Sequence, residues 1–131
     1  MLARFPTQVI GHGYKAVVIL AGTNDIRTTR STLDHQVATA VSDIDAMAQL
    51  AEKDNIEVIL CRIPPITHLD SRVVELNNAI TIFAQTHNYK LVDYYSPMQG
   101  HPEYLLDGVH PNSEGYVVMQ TALEQVISIN Y

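Results

Sequence analysis

Three apolar runs, at residues 15–20, 56–61 and 90–94, constrain the fold of this chain most, because each has strand length and each is followed by a segment of helical period. The first reads Lys-Ala-Val-Val-Ile-Leu and closes on Ala21 and Gly22. Lacking polar alternation, it fits a strand covered on both faces. Gly11 and Gly13 mark the turn into it, and Pro64 with Pro65 ends the second run, since proline supplies no ladder donor. Residues 31–53 place Leu33, Val37, Val41, Ile44, Met47, Ala48 and Ala51 on one side of a helix, with Asp34, Gln36, Asp43, Gln49 and Glu52 over much of the rest. Asp54 and Asn55 end it. Ser71 is placed to cap a second helix whose inner side carries Val74, Leu76 or Asn77, Ile80, Phe83 and Ala84, ending near Asn88. Asn112 is placed to cap a third, with Tyr116, Met119, Leu123, Val126 and Ile127 facing inward.

Strands alternating with helices at short spacing predict an α/β fold with a parallel sheet covered by helices. Ligands of such sheets gather outside the carboxyl ends of the strands, so the loops at 22–25, 64–70 and 96–110 share one functional rim. The length of 131 residues fits a single domain spanning 1–131. A hydrophobic fraction of 47% excludes a disordered chain. The net charge of -6, with eight scattered lysines and arginines, speaks against a nucleic-acid partner. No run has the length of a membrane span, and residues 1–8 lack the charged start and apolar core of a signal peptide, so the compartment stays open. Cys61 lies in an apolar run and is expected to be a buried, inert thiol. His12, His35, His68, His87 and His101 show no paired ligand spacing and there is no glycine-rich phosphate loop, so neither a metal nor a cofactor is expected.

Two short motifs on the rim carry chemistry. Gly22-Thr23-Asn24-Asp25 follows the first strand directly and offers a bend plus a side-chain amide, a donor suited to an oxyanion. Asp107 stands three residues before His110, the spacing of a carboxylate that orients an imidazole base. Taken singly, each is also an ordinary turn, because aspartate and asparagine bond their own backbone. His68 and Asp70, on the loop after Pro65, are placed to touch a ligand or simply to be a polar loop.

Together the two motifs resemble the SGNH, or GDSL-like, esterase and lipase family, which carries a Gly-x-Asn-Asp block and a later Asp-x-x-His-Pro block, matched here by residues 22–25 and by Asp107, His110 and Pro111. Residues 17–20, 63–65 and 92–95, with Asn112, Gly115 and Tyr116, are similar to further family positions, so the resemblance covers nearly the whole chain. It implies a flavodoxin-like three-layer α/β/α sandwich and hydrolysis of a small-molecule carboxylic ester. Asn24 would donate to the oxyanion with Gly22 and Asp25 in support, Asp107 would orient His110, and His110 would act as general base and then general acid. The family's first block, Gly-Asp-Ser-Leu or Gly-Asp-Ser-Ile, supplies the nucleophile on the first strand, and a second block supplies an oxyanion-hole glycine. Neither precedes residue 3 here, and none of Ser31, Ser42, Ser71, Ser96, Ser113 or Ser128 follows a Gly-Asp. Ser113, nearest His110 in sequence, reads as an early helix residue. The resemblance therefore implies a sheet truncated to about three strands, an open edge at residues 16–20, and either self-association there or pairing with a separate segment. The function it implies is serine ester hydrolysis with the serine supplied from outside, and negligible activity of this chain alone. The alternatives are a non-catalytic remnant serving as an oligomerising or binding module, or a general small-ligand binder.

Overall fold

The computed structural model describes residues 1–127, and Ser128 lies outside the described residues. The chain begins with a 3-10 turn, Leu2–Arg4, and a short helix α1, Phe5–Gln8, then runs β1 (Ala16–Ile19), α2 (Leu33–Lys53), β2 (Glu57–Arg62), α3 (Asp70–His87), β3 (Lys90–Asp93) and α4 (Ser113–Glu124). The strands are parallel in the order β1-β2-β3, with Val18 opposite Ile59 and Cys61 opposite Val92. Each strand lies within a residue of the run that predicts it.

Because side chains alternate across a sheet, the register divides the core into two. Ile19, Val58 and Leu60 join Ile44, Met47 and Ala51 of α2 and Val73, Leu76 and Ile80 of α3 on one face. Ile59, Cys61, Val92 and Tyr94 join Met119 and Ala122 of α4 on the other. Two helices below and one above give the α/β/α layering. Each fully buried isoleucine, leucine or methionine contributes roughly 1.5–3 kcal/mol relative to exposure, so α2 and α3 are held chiefly by this face. Cys61 is the expected buried thiol, pushed up to about 12 by burial against an opposing hydrogen bond from Tyr94. Val18 shares the face of Ile59 but is 39% exposed, since α4 lies over β3 and leaves β1 uncovered on that side. Among the described residues β1 pairs with β2 alone, so its other edge is open.

Several sequence expectations need correction. The segment before β1, to which the sequence assigns no element, folds against α2, with Phe5 5% exposed, because an aromatic side chain there completes the lower core. Gln36, placed on the polar side of α2, is buried at 3% and donates through Nε2 to the Thr28 and Ser31 carbonyls, both at 2.9 Å. Burial costs it little because those donors are satisfied. Ser71 is not the cap of α3: the cap position is Leu69, two residues earlier, with no side-chain cap bond, and the helix begins at Asp70. Val73 rather than Val74 is the fully buried valine. On α4, Gly115, Met119 and Ala122 face the sheet, and Tyr116, expected inside, is 59% exposed. The helix is rotated so that its smallest side chain takes the closest approach.

One buried polar residue sets the geometry of the rim. Asn77 is fully buried on α3, where its Oδ1 accepts from the Ile63 N–H at 2.7 Å and its Nδ2 donates to the Ile63 carbonyl at 3.0 Å. Ile63 is the first residue past β2, so its backbone has left the ladder and finds its partners on the helix. The chain is thereby fixed just where it enters the Pro64–Pro65 loop.

Candidate functional site

Each side chain of interest is held by backbone constraints in its own loop. Gly22 leaves β1 with φ +109°, and a Cβ added there would lie 2.7 Å from Leu76 Cδ2 and 3.4 Å from Ala40 Cβ. Glycine supplies both the conformation and the clearance that α2 and α3 require. The turn closes when the Asp25 N–H donates to the Gly22 carbonyl at 3.1 Å, and a 3-10 helix, Asp25–Arg27, follows with Ile26 wholly buried. Arg72 of α3 donates through Nη1 to the Ile26 carbonyl at 2.9 Å and to the Thr28 carbonyl at 3.1 Å. Asn24 is thus exposed on a turn anchored at both ends.

The second loop is tied in three places. Leu105 and Pro111 form an antiparallel bridge, and the Leu106 N–H donates to the His110 carbonyl at 2.8 Å. The Gly108 carbonyl accepts from the Thr67 N–H at 2.8 Å, which docks the loop on the one after β2. Asn112 then caps α4 as expected, its Oδ1 accepting from the Gly115 N–H at 2.9 Å. At the tip, one carboxylate organises everything. Asp107 Oδ1 accepts from the Val109 N–H at 3.0 Å and the His110 N–H at 2.7 Å, while Oδ2 lies 2.7 Å from His110 Nδ1. The Asx turn and the acid–imidazole pair, which looked like competing readings of the sequence, are both present because they use different oxygens of the same group.

These contacts favour an ionised Asp107. The His110 N–H is the largest influence, followed by its imidazole and then the Val109 N–H, and together they hold the carboxyl well below the usual aspartate range. Asp25 moves the opposite way, raised by burial and then by the charge of Asp43. Carboxyl-carbon NMR titration is accordingly expected to find Asp107 more than half ionised at pH 3.8, the ordinary aspartate value, and Asp25 more than half protonated there. The linkage signs follow. The Asp107 contacts stabilise the fold fully above the ordinary value and are lost as pH falls through its own lower value, whereas protonation of Asp25 favours the folded chain. A reversed order of titration would refute the paired geometry.

Asn24 and His110 line one cleft of about 290 Å³, together with Leu20, Thr23, Arg27 and Tyr116. The structure therefore brings together the two motifs that the sequence separates by more than eighty residues. Gly22 and Asp25 lie behind Asn24 in an adjoining hollow with Asp43. Sequence reasoning missed Arg27 and Tyr116. Arg27 stands two residues past the Gly-Thr-Asn-Asp block and was open to discovery as a rim residue, whereas Tyr116 required the rotation of α4. His68 does not reach this cleft. With His101 it lines a separate hollow of about 180 Å³, and Asp70 accepts from the Tyr95 hydroxyl at 2.5 Å. A larger hollow of about 620 Å³ between α4 and the end of β3 contains none of the motif residues. Among the described residues the one ionisable group lining it, Asp93, is already engaged by Ser96, Tyr95 and Arg62. Among the described residues there is no group of three or more His, Cys, Asp or Glu arranged to hold a metal ion, and no helix long and apolar enough to cross a membrane. No serine among them hydrogen-bonds His110, and Ser113 is simply the first residue of α4.

Comparison with known proteins places this geometry. The profile of the GDSL-like lipase/acylhydrolase family matches residues 1–118. A GDSL-like lipase from Bacteroides thetaiotaomicron is 33% identical, with a TM-score of 0.81 over 95% of this chain and 67% of that one. A protein from Bacteroides fragilis is 35% identical, also with a TM-score of 0.81, over 95% of this chain and 66% of its own. A member of the lipolytic G-D-S-L family from Veillonella parvula, 22% identical, shares the fold at a TM-score of 0.80, over 97% of this chain and 72% of that one. No curated protein matches at a significant level. The chain spans about two-thirds of the length of the two Bacteroides structures. On the family match and on this identity, the chain belongs to the GDSL-like lipase/acylhydrolase family.

Proposed function

We propose that this chain is the acid–base and oxyanion part of a serine ester hydrolase, and that the serine comes from a segment outside residues 1–131. The observation that carries the reading is the Asp107–His110 pair, joined at 2.7 Å through Nδ1, with Nε2 free of partners among the described residues and Asn24 on the same cleft. The chemistry is two-step acyl transfer on a small carboxylic ester. The serine Oγ attacks the acyl carbon and its proton passes to His110 Nε2. The alcohol leaves with that proton, and water repeats the cycle on the acyl-enzyme. Asp107 accepts from the Nδ1–H, fixing the tautomer and stabilising the imidazolium. Asn24 donates to the oxyanion, with Gly22 and Asp25 shaping its turn. The open edge of β1 is where the missing segment pairs.

A fluorophosphonate probe and a chromogenic acetate ester test this directly. The 131-residue chain alone is expected to give neither labelling nor turnover. With the coding sequence upstream of Met1 restored, both appear and the label maps to a serine in the added segment. Labelling within residues 1–131 refutes the assignment. A second reading, a non-catalytic module that self-associates through β1, is favoured by that open edge and by the exposure of Val18. It requires a dimer by light scattering and continued silence toward the probe once the upstream segment is present.

A further inference from the structure

Among the described residues Arg27 is the one lining the His110 cleft with a fixed charge, and nothing in the ester chemistry above uses it. Among the described residues no carboxylate lies within ion-pair distance of it, although the chain has 14 acidic side chains to eight lysines and arginines. Asp107, the carboxylate of the His110 loop, is bonded to His110 and the Val109 N–H. The Arg27 backbone is fixed on both sides, because Arg72 holds the carbonyls of Ile26 and Thr28, the residues before and after it. The rest of the wall is largely apolar, with Leu20, Pro64 and Met119. Arg27 is itself exposed, so its guanidinium is open to a ligand, and its planar fork matches a carboxylate in two parallel hydrogen bonds.

We propose that Arg27 is the specificity residue of this cleft and that the substrate carries a carboxylate that it binds, next to the ester presented to Asn24 and His110. The inference deepens the hydrolase reading and rests on it for the identity of the scissile group. Binding of a dicarboxylate to the cleft, however, requires no turnover. The cleft volume of about 290 Å³ suits a ligand the size of a short half-ester.

The test is a ¹⁵N–¹H NMR titration of the 131-residue chain with succinate and, separately, with its uncharged diamide. Succinate is expected to shift the amides of Thr23, Asn24 and Val109 saturably, and the diamide to leave them in place. Arg27→Gln weakens succinate by at least about 5-fold and Arg27→Lys by less, since an ammonium keeps the charge without the fork. Arg30→Gln, outside the cleft, leaves it unchanged. Persistence of binding in His110→Gln separates the guanidinium from an imidazolium. Absence of saturable shifts, equal binding of the diamide, loss of binding in His110→Gln, or Arg27→Gln within 2-fold of wild type overturns the proposal. Arg27-dependent binding without serine-dependent hydrolysis overturns only the catalytic reading. Hydrolysis with Arg27-independent binding overturns only this one.

Discussion

Replacing His110 with alanine, in a preparation that includes the proposed serine-bearing segment, is expected to lower kcat by roughly 10⁴- to 10⁶-fold, the range found when a catalytic triad loses its base. The size follows from the role proposed for His110, which is to take the nucleophile's proton and return it to the leaving group, and among the described residues no other imidazole lines the cleft. Asp107→Asn is the more discriminating change. An asparagine Oδ1 can still accept from the Val109 and His110 N–H groups, so the turn persists, but its amide nitrogen donates where the carboxylate Oδ2 accepted. The imidazole is then held in the wrong tautomer, with a loss of about 10⁴-fold and little change in KM. Because the groups act as one unit, the double variant should be scarcely worse than His110→Ala. Steady-state kinetics on an ester of any chain length gives the answer. A His110→Ala loss of less than about 10-fold would show that the pair serves the turn and not the chemistry.

A sizeable stability effect is expected at a glycine within a helix. Ordinarily Gly→Ala in a helix interior stabilises by about 1 kcal/mol. At Gly115 the new Cβ would lie 2.4 Å from the Tyr104 carbonyl oxygen and 3.1 Å from Pro111 Cβ. The carbonyl cannot swing aside as a side chain would, since it already accepts from the Asn112 N–H at 2.9 Å. Overpacking against backbone costs about 3 kcal/mol and exceeds the propensity gain, so Gly115→Ala should destabilise by about 2 kcal/mol net. In a domain of this size that lowers Tm by several degrees. The strain falls on the Tyr104–Asn112 strap, so the His110 amide resonance should move in the NMR spectrum of the variant. Gly100→Ala is a useful contrast. Nothing lies within 4 Å of its would-be Cβ, and its cost comes from φ +77° alone. A urea melt in which Gly115→Ala equals or exceeds wild type would rule out the close approach of α4 to the strap.

Much of the architecture is legible in the sequence for a simple reason. Buried parallel strands require continuous apolar runs, and covering helices require one-sided spacing, so residues 15–20, 56–61 and 90–94 announce β1, β2 and β3. The Asp107–His110 pair is legible too, since the two interact within one turn of chain and Asn112 caps the helix behind them. The misreadings arise where a contact partner is distant in sequence. Gln36 reads as solvated because glutamine usually is, and the Thr28 and Ser31 carbonyls that bury it depend on how the loop folds back. Tyr116 reads as a core residue because the apolar period allows it, yet the approach of Gly115 to Tyr104 turns α4 and leaves the ring at the cleft.

By itself the sequence determined the layer order, the strand and helix types, and the chemistry of two motifs, because propensity, period and local turn bonding act over a few residues. Only the tertiary structure decided that Asn24 and His110 line the same cleft, and that Arg27 joins them without an acidic partner among the described residues. Those facts depend on strand register and helix rotation, which are fixed by the packing of residues far apart in the chain.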